Sequence, residues 1–225
     1  MDKAKLLGYL TKTPSLARTA VRARNMLGRN HFSIQRGNTI RTGLATITGT
    51  TIIIRGTGNT IRIGDDARLK HCSVRVFGSY NTIDIGDHVL MNEAELWVED
   101  ARNSITIGRR TVVSARTQLS AIEGTSITVG EDCLLSSDIR IVTGDSHSIV
   151  DSSGERTNTS QSITIENHVW IGARVLCLKG THISKDSVVG AGSLLTSRFV
   201  LPNVVIAGSP ARVLKTDMNW LSERI

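Results

Sequence analysis

A repeat of 22 residues runs through the first half of the chain and constrains its fold more than any other feature. The strings NTIRIGDDA, NTIDIGDHV, NSITIGRRT and TSITVGEDC begin at Asn59, Asn81, Asn103 and Thr125. Each copy carries an aliphatic–x–aliphatic–glycine string at the same place, so the glycines recur every 22 residues. A constant period of this length predicts an all-β solenoid, in which each turn stacks on the one before it at about 4.8 Å.

The alternation inside each copy predicts which side chains face the interior. Ile61 and Ile63 flank the outward Arg62, as expected of a strand with one solvated face. Equivalent aliphatic residues of successive coils should form two buried rows: Ile61, Ile83, Ile105, Ile127 and Ile163, and Ile63, Ile85, Ile107, Val129 and Ile165. Asparagine tolerates left-handed backbone angles and hydrogen-bonds along a ladder. We therefore expect a corner stack of the recurring asparagines, Asn38, Asn59, Asn81 and Asn103.

Downstream the period shortens to six residues. Small or aliphatic side chains recur at this interval from Ile165 to Ala207. Three such units predict a triangular coil of about 18 residues with three short faces.

Between the two halves, the repeat is interrupted once. The glycine position moves from Gly130 to Glu166, a step of 36 residues, which is 22 plus 14. The 14 extra residues cannot fit within a coil, so we expect a protruding loop around residues 144–160. The loop contains a lone histidine, His147. Loops on a rigid scaffold are where functional residues concentrate.

The composition agrees with this architecture and indicates the cellular compartment of the protein. Its 225 residues suffice for one large domain, and only 4% are aromatic. Three cysteines and no CxxC pair argue against a disulfide framework or a zinc site and fit a reducing cytoplasm. No apolar run approaches the roughly 18 residues of a membrane span, and the N-terminus lacks a signal-peptide pattern. We therefore expect a cytoplasmic protein.

The formal net charge of +7 belongs to the N-terminal segment. Residues 1–36 contain eight Lys and Arg and one acid, whereas the remainder has 19 of each sign. We interpret residues 1–36 as a basic helical arm or cap with Pro14 at the first helical position. Such an arm forms a solvated cap or contacts an anionic membrane face, and we expect no nucleic-acid partner. Residues 37–215 would be the solenoid and residues 216–225 a short C-terminal helix.

The string ENHVWIGARVLCLKGTHISKDSVVGAGSLLTSRFVLPNVVIAGSPARVLK resembles the C-terminal half of the hexapeptide-repeat acyltransferases. The similarity is greatest to the branch with maltose and galactoside acetyltransferases and the O-acetyltransferases of bacterial capsule and lipopolysaccharide. It covers residues 100–215 well and residues 37–100 only as a generic repeat. The resemblance implies a left-handed parallel β-helix, acetyl-CoA as co-substrate, a glycan acceptor, and a homotrimer with active sites between subunits.

The resemblance also assigns catalytic roles. His147, in the string IVTGDSH, matches the family's catalytic histidine and would act as general base toward a sugar hydroxyl. The backbone N–H of Ala173 would stabilise the developing oxyanion. Asp145, Asp151 or a backbone carbonyl would orient the imidazole, and the sequence does not choose between them.

Binding residues follow in the same way. Trp170 would lie against the pantetheine arm or the acceptor sugar, and Gln118 stands where galactoside-type members carry an acceptor-binding asparagine. Asp145 is the third residue expected to bind the acceptor. This difference leaves the acceptor sugar open. The cofactor would also contact the glycine-rich turn, two hydroxyls and a basic residue near the end of the chain, namely Gly190, Ala191, Gly192, Thr196, Ser197 and Arg212, with Lys215 as the second choice for the base.

The sequence leaves three alternative interpretations of the function open. An amino-sugar N-acetyltransferase uses the same fold and a similar histidine. A zinc enzyme like the γ-class carbonic anhydrases would require three converging histidines, and His147, His168 and His182 show no ligand motif. A non-catalytic trimeric scaffold would use the basic arm for binding.

Overall fold

A computed structural model describes residues 14–223 and 225 and shows a parallel β-solenoid with eight turns. One helix, α1 (Pro14–Leu27), precedes it. Each turn contributes one strand to each of three sheets, and every strand pairs in parallel with its equivalent in the next coil, apart from the last strand. This is the β-helix architecture that the repeat and the resemblance predict.

The first sheet contains β1 (His31–Ile34), β4 (Thr51–Arg55), β7 (Ser73–Phe77), β10 (Glu95–Glu99), β13 (Gln118–Ala121), β16 (Arg140–Val142), β19 (Leu176–Cys177) and β22 (Leu194–Leu195). The second contains β2 (Thr39–Thr42), β5 (Thr60–Ile63), β8 (Thr82–Ile85), β11 (Ser104–Ile107), β14 (Ser126–Val129), β17 (Ile163–Ile165), β20 (His182–Ile183) and β23 (Arg198–Phe199). The third contains β3 (Thr46–Thr48), β6 (Arg68–Lys70), β9 (Leu90–Asn92), β12 (Val112–Val113), β15 (Leu134–Leu135), β18 (Trp170–Ile171), β21 (Val188–Val189), β24 (Val205–Gly208) and β25 (Ala211–Lys215).

The core is a column of aliphatic side chains enclosed by the three sheets. Both predicted interior rows are confirmed, because each of their members is at most 1% exposed. Their registers also agree, with Ile61 paired to Ile83 and Ile127 to Ile163. Burial of such stacked aliphatic residues supplies the main favourable term for folding.

The predicted asparagine ladder is confirmed, with one correction to its backbone geometry. The Nδ2 of Asn81 donates to Oδ1 of Asn59 at 3.0 Å, and the Nδ2 of Asn103 donates to Oδ1 of Asn81 at 3.0 Å. The left-handed residue is the one before each asparagine, such as Tyr80 (φ 60°) and Arg102 (φ 61°). The asparagines themselves are freed to bond up and down the stack.

The last coil departs from the six-residue period. Val189 pairs with Ile206, a step of 17 residues, and Ile183 pairs with Phe199, a step of 16. Leu201 is therefore 50% exposed, and Val204 and Ile206 fill the interior instead of the expected Leu201 and Ala207. The shortened turns are the physical reason, since they shift every later side chain relative to the core.

Helix α1 covers the N-terminal edge of the third sheet. Asn25 mimics a neighbouring strand, because its Nδ2 donates to the Ala45 carbonyl at 2.9 Å and its Oδ1 accepts from the Ile47 N–H at 2.9 Å. The helix ends before Gly28, and Arg29 takes the left-handed conformation (φ 53°). Strand β1 begins at His31, inside the segment interpreted as the arm, and residues 1–13 of that arm lie outside the described residues.

The predicted C-terminal helix is wrong for the described residues 216–223, which contain no helix. The preceding strand β25 turns back antiparallel onto β24. Trp220 then packs onto the solenoid, where its ring stacks on His168 at 4.5 Å and its Nε1 donates to the His168 carbonyl at 2.8 Å. These contacts hold the segment against the solenoid. No helix within residues 14–223 is long and apolar enough to cross a membrane.

Replacement of Asn81 by alanine tests the ladder. It removes two donated and two accepted hydrogen bonds within a buried stack, so we expect the free energy of unfolding to fall by about 3 kcal/mol. Urea denaturation followed by circular dichroism measures this loss. Asn92→Ala is the matched control, since the Asn92 side chain makes no hydrogen bond to another described residue, and equal losses in the two variants would contradict the ladder's importance.

Candidate functional site

Two corners of the triangular coil carry the predicted site residues. The loop corner joins the first sheet to the second and includes residues 143–162, 178–181 and 196–197. The small-residue corner joins the third sheet to the first and includes residues 172–175 and 190–193. These two corners are separate edges of the solenoid, and one chain does not bring them together.

The predicted loop is confirmed and begins where the asparagine ladder ends. Ile127 pairs with Ile163 across the 36-residue step, so the extra residues leave the coil without disturbing the strands. At its base, Thr125 Oγ1 donates to Thr143 Oγ1 at 2.6 Å. Within the loop, Val150 and Arg156 form an antiparallel bridge, which makes it a short hairpin.

Asn158 is the centre of the polar contacts that hold this loop. Its Nδ2 donates to Oδ2 of Asp145 and to the His147 carbonyl, both at 2.8 Å, and its Oδ1 accepts from the Ile149 N–H at 2.7 Å. Lys179, in the next coil, donates to Oδ2 of Asp145 at 2.5 Å and to the Asn158 carbonyl at 2.9 Å. Lys179 and Asn158 together lower the pKa of Asp145 below its ordinary value.

A second set of contacts ties the returning arm of the loop to the coil below. Arg156 forms a bidentate pair with Glu123, at 2.8 and 3.0 Å, and the Ser160 hydroxyl donates to Glu123 Oε2 at 2.7 Å. Arg156 first and Ser160 second lower the pKa of Glu123. The loop is thus anchored at both arms.

His147 projects from the anchored part of the loop with its side chain exposed. Its ring makes no hydrogen bond to any residue in the described part of the chain, whereas its backbone carbonyl is held by Asn158. Neither Asp145 nor Asp151 hydrogen-bonds to the ring: Asp145 binds Lys179, and Asp151 Oδ1 accepts from Ser153 and Glu155 within a local turn. Neither of these carboxylates therefore orients the ring in this chain.

A polar cleft of about 410 Å³ lies on the outer face of the first sheet beside the loop. Strands β10, β13 and β16 form its floor, and Gly144, Asp145 and Ser146 form one rim. Gln118 and Asp145, both predicted to bind the acceptor, line this cleft. His147 follows the rim directly, after Ser146 in a left-handed conformation (φ 63°).

Gln118 is held between charged neighbours of the adjacent coils. Its Nε2 donates to Glu95 Oε2 at 2.9 Å, and its Oε1 accepts from Arg140 Nε at 3.2 Å. The Arg140 guanidinium has no carboxylate within 4 Å among residues 14–223. This fixes the amide and leaves most of the guanidinium free for a ligand.

Trp170 lies on the outer face of the third sheet, as predicted, and is 38% exposed. Its Nε1 is 3.3 Å from the Ser136 hydroxyl, and its ring lies 6.0 Å from that of Trp220. Trp220, which the sequence analysis did not single out, thereby forms one wall beside Trp170.

The small-residue corner stacks Gly172 and Ala173 against Gly190 and Ala191 of the next coil. A Cβ on Gly172 would lie 2.7 Å from the Ala191 nitrogen, so this close approach requires glycine. The Ala173 carbonyl accepts from Gly192, which has a left-handed backbone (φ 72°). The N–H groups of Ala173 and Ala191 have no acceptor among the described residues and remain available to a ligand.

Arg212 extends this corner. It lies opposite Ala207 in the β24–β25 pair, and a Cβ on Gly190 would lie 2.9 Å from the Cβ of Ala207. Lys215 pairs with Val205, which is in register with Val188 and, through it, with Trp170. Arg212 and Lys215 are exposed and form no ion pair within residues 14–223.

Thr196 and Ser197 lie elsewhere, at the loop corner, two coils beyond the loop. Within one chain, the first group of predicted residues lies at the loop corner or on the first sheet: His147, Asp145, Gln118, Thr196 and Ser197. The second group lies at the small-residue corner or on the third sheet: Trp170, Ala173, Gly190, Ala191, Gly192, Arg212 and Lys215.

The other two histidines are engaged in pairs. His168 Nδ1 lies 2.9 Å from Asp186 Oδ1, and His182 Nε2 lies 2.9 Å from Glu166 Oε1. The described residues contain no group of three or more His, Cys, Asp or Glu side chains placed to hold a metal ion. The cysteines are buried and free, and burial raises the pKa of Cys177 to about 12.

Sequence reasoning missed Asn158, Lys179 and Glu123. Lys179 lies at the loop corner one coil after the base of the loop, and the six-residue period could have predicted this position. Asn158 carried no such signal, because the path of the loop is set by its own contacts.

The matches to known protein sequences lie in the C-terminal coils. A family model described as "Hexapeptide repeat of succinyl-transferase" matches residues 162–197. The galactoside O-acetyltransferase of Escherichia coli (strain K12) is 51% identical over 53 residues, which are 24% of this chain and 26% of that protein. The putative lipopolysaccharide biosynthesis O-acetyl transferase WbbJ of the same strain is 44% identical over 61 residues, 27% of this chain and 30% of that protein. The matched segment thus spans under a third of these curated relatives.

Two solved structures are similar over most of the chain. The polysialic acid O-acetyltransferase OatWY aligns with a TM-score of 0.82 and 29% identity over 87% of this chain and 92% of that one. The polySia-specific acetyltransferase NeuO aligns with a TM-score of 0.76 and 25% identity over 86% and 83%, respectively.

Lys179→Met tests the loop anchor. Without the ammonium group, Asp145 and the Asn158 carbonyl lose a shared donor, so amide hydrogen exchange of residues 145–158 should be faster by about tenfold. Lys185→Met is the matched control, because the exposed Lys185 side chain has no ion pair among the described residues. Equal exchange in both variants would contradict the anchor.

The same contact predicts a pH dependence of loop protection. Because the folded pKa of Asp145 lies below its unfolded value, the contact stabilises the loop fully above about pH 4 and is lost as the pH falls through the folded pKa. Exchange of residues 145–158 in the unmodified protein, corrected for intrinsic rates, should therefore lose protection on acidification before the core strands do.

Proposed function

The chain belongs to the hexapeptide-repeat acetyltransferase family, and we propose that it transfers the acetyl group of acetyl-CoA to a hydroxyl of a bacterial surface glycan. The acceptor would be a capsule, a lipopolysaccharide or a precursor of either. The observation that carries this proposal is the anchored loop, which presents an uncommitted imidazole at the rim of a polar cleft. The enzyme would act in the cytoplasm, where acetyl-CoA is available.

His147 would be the general base. Its neutral imidazole would take the proton of the acceptor hydroxyl as the oxygen forms a bond to the thioester carbonyl carbon. As the carbon–sulfur bond breaks, the imidazolium would return that proton to the departing thiolate. The base thus ends each cycle neutral, and no acyl-enzyme is required.

The backbone N–H of Ala173 would stabilise the negative charge that develops on the carbonyl oxygen. It is preorganised in a tight corner and has no acceptor among the described residues, so it is free to donate to a ligand. A donor of this kind typically contributes about 2.7–4 kcal/mol to transition-state stabilisation.

Acetyl-CoA would lie along the small-residue corner. Gly190, Ala191 and Gly192 permit close approach of its arm, with Trp170 alongside and the unpaired charges of Arg212 and Lys215 at the phosphates. Thr196 and Ser197 would reach the cofactor only from another subunit.

We propose a homotrimer with sites between subunits, and this division of the residues supports shared sites. One chain holds the base at the loop corner and the oxyanion donor at the small-residue corner, so two copies are needed to complete one site.

The relatives favour O-acetylation. The C-terminal coils do not discriminate, since a tetrahydropyridine-dicarboxylate N-acetyltransferase of Clostridium perfringens is 46% identical over 52 residues. Likeness across most of the chain is to a polysialic acid O-acetyltransferase and a polySia-specific acetyltransferase.

His147→Ala tests the proposed base. We expect kcat for acetyl transfer to a panel of bacterial glycans to fall by about 10²–10⁴, with acetyl-CoA affinity unchanged, because only proton transfer is lost. His88→Ala is the matched control, since His88 is also an exposed histidine and lies outside the proposed site. Full turnover by His147→Ala on an accepted glycan would refute its role.

Subunit complementation tests the shared site. His147→Ala and Arg212→Glu should each be inactive alone, yet co-expressed trimers would contain some sites with both native residues. Random mixing of equal amounts should restore about a quarter of the activity, since each site draws two groups from different chains. No recovery in verified mixed trimers would place the whole site in one chain.

A further inference from the structure

The cleft beside the loop continues along the first sheet to an aromatic platform that the proposed chemistry does not use. The Trp97 ring lies 5.1 Å from the Phe77 ring, at an angle of 47°. Both side chains are half-buried on the outer face of the sheet. Trp97 and Ser120 are register partners on adjacent strands, and Trp97 leans toward Phe77 on the opposite side. The small Ser120 therefore forms a floor between Trp97 and Val142.

Two carboxylates flank this platform. Glu95 and Glu99 are two residues before and after Trp97 on the same face of β10. Glu99 Oε2 accepts from the indole Nε1 at 3.3 Å, and Glu95 lies 3.8 Å from Arg75 and accepts from Gln118. The Ser120 hydroxyl makes no hydrogen bond to another residue of the described chain. An apolar ring face edged by acceptors and a free hydroxyl matches a pyranose, which offers one C–H face and equatorial hydroxyl groups.

The distance from the loop determines what this platform can bind. The loop leaves from β16, and Trp97 lies two strands away on β10, which is about 10 Å at the usual strand spacing. Phe77 lies one strand further. A single pyranose whose hydroxyl reaches His147 does not extend that far, so a second sugar unit is needed to contact the indole.

We propose that Trp97 forms a subsite for an uncharged sugar unit of an oligosaccharide acceptor, beyond the unit that is acetylated. This inference rests on the proposed function for its acceptor class. Glu95 and Glu99 flank the indole, and Arg75 is the only guanidinium within 4 Å of either carboxylate among the described residues. Arg140 lines the same cleft but lies two strands away on β16, nearer the loop, so the charge beside Trp97 itself is negative and disfavours an acidic sugar there. Acceptors of several sugar units would therefore bind more tightly than their monosaccharides.

Sugar binding to the His147→Ala protein tests the subsite without turnover. Calorimetry would compare glucose and galactose with maltotetraose, cellotetraose and β1,4-galactotetraose, and with a sialic acid tetramer as the charged arm. We expect at least one neutral tetrasaccharide to bind about tenfold more tightly than its monosaccharide. Trp97→Ala should lower the affinity for that tetrasaccharide by about tenfold and change the affinity for the monosaccharide by no more than about twofold.

Trp97→Phe keeps an aromatic face and should retain most of the affinity, while its unfolding midpoint reports whether the sheet is intact. Tyr80→Ala removes an exposed aromatic side chain outside the cleft and should change nothing. The subsite is overturned if no neutral tetrasaccharide binds more tightly than its monosaccharide, if Trp97→Ala has no effect, or if the sialic acid tetramer shows the stronger dependence on Trp97. Because no transfer is measured, these outcomes are independent of whether His147 is the base.

Discussion

Hydrogen bonding of each coil to its equivalent in the next coil is the interaction on which every other feature of this molecule depends. Thr60, Thr82 and Ser104 occupy one line across three coils, and the same holds at each position of the repeat. A residue type that suits its position therefore recurs at a fixed spacing of about 4.8 Å. The isoleucine rows, the asparagine ladder and the stacked glycines are three expressions of this one register.

The same register determines where irregular chain is accommodated. Extra residues within a strand would displace every later side chain, whereas at a corner they leave the coil and return to it. The loop of residues 143–162 does so, and Ile163 rejoins the core in register with Ile127. Its placement beside a cleft on a rigid sheet gives the imidazole a defined position without burying it.

The sequence is most informative where a residue repeats from coil to coil. Ile83 and Asn81 were predictable because each has equivalents in neighbouring coils, and Trp170 because an indole cannot enter a narrow core. Leu201 was misplaced because the shorter steps of the last coil leave no mark in the local sequence. Asn158 and Trp220 act through contacts between segments 13 and 52 residues apart, which no period encodes.

Neither end of the third sheet is an open parallel strand of the repeat, and this affects how copies of the chain can associate. At one end Asn25 occupies the groups that an added strand would use, and at the other β25 runs antiparallel along β24. A parallel solenoid with open ends is a template for head-to-tail growth. Here one end of the sheet is covered by the helix, and the other ends in an antiparallel strand that is not a coil of the repeat. Parallel head-to-tail stacking of copies through this sheet is therefore disfavoured.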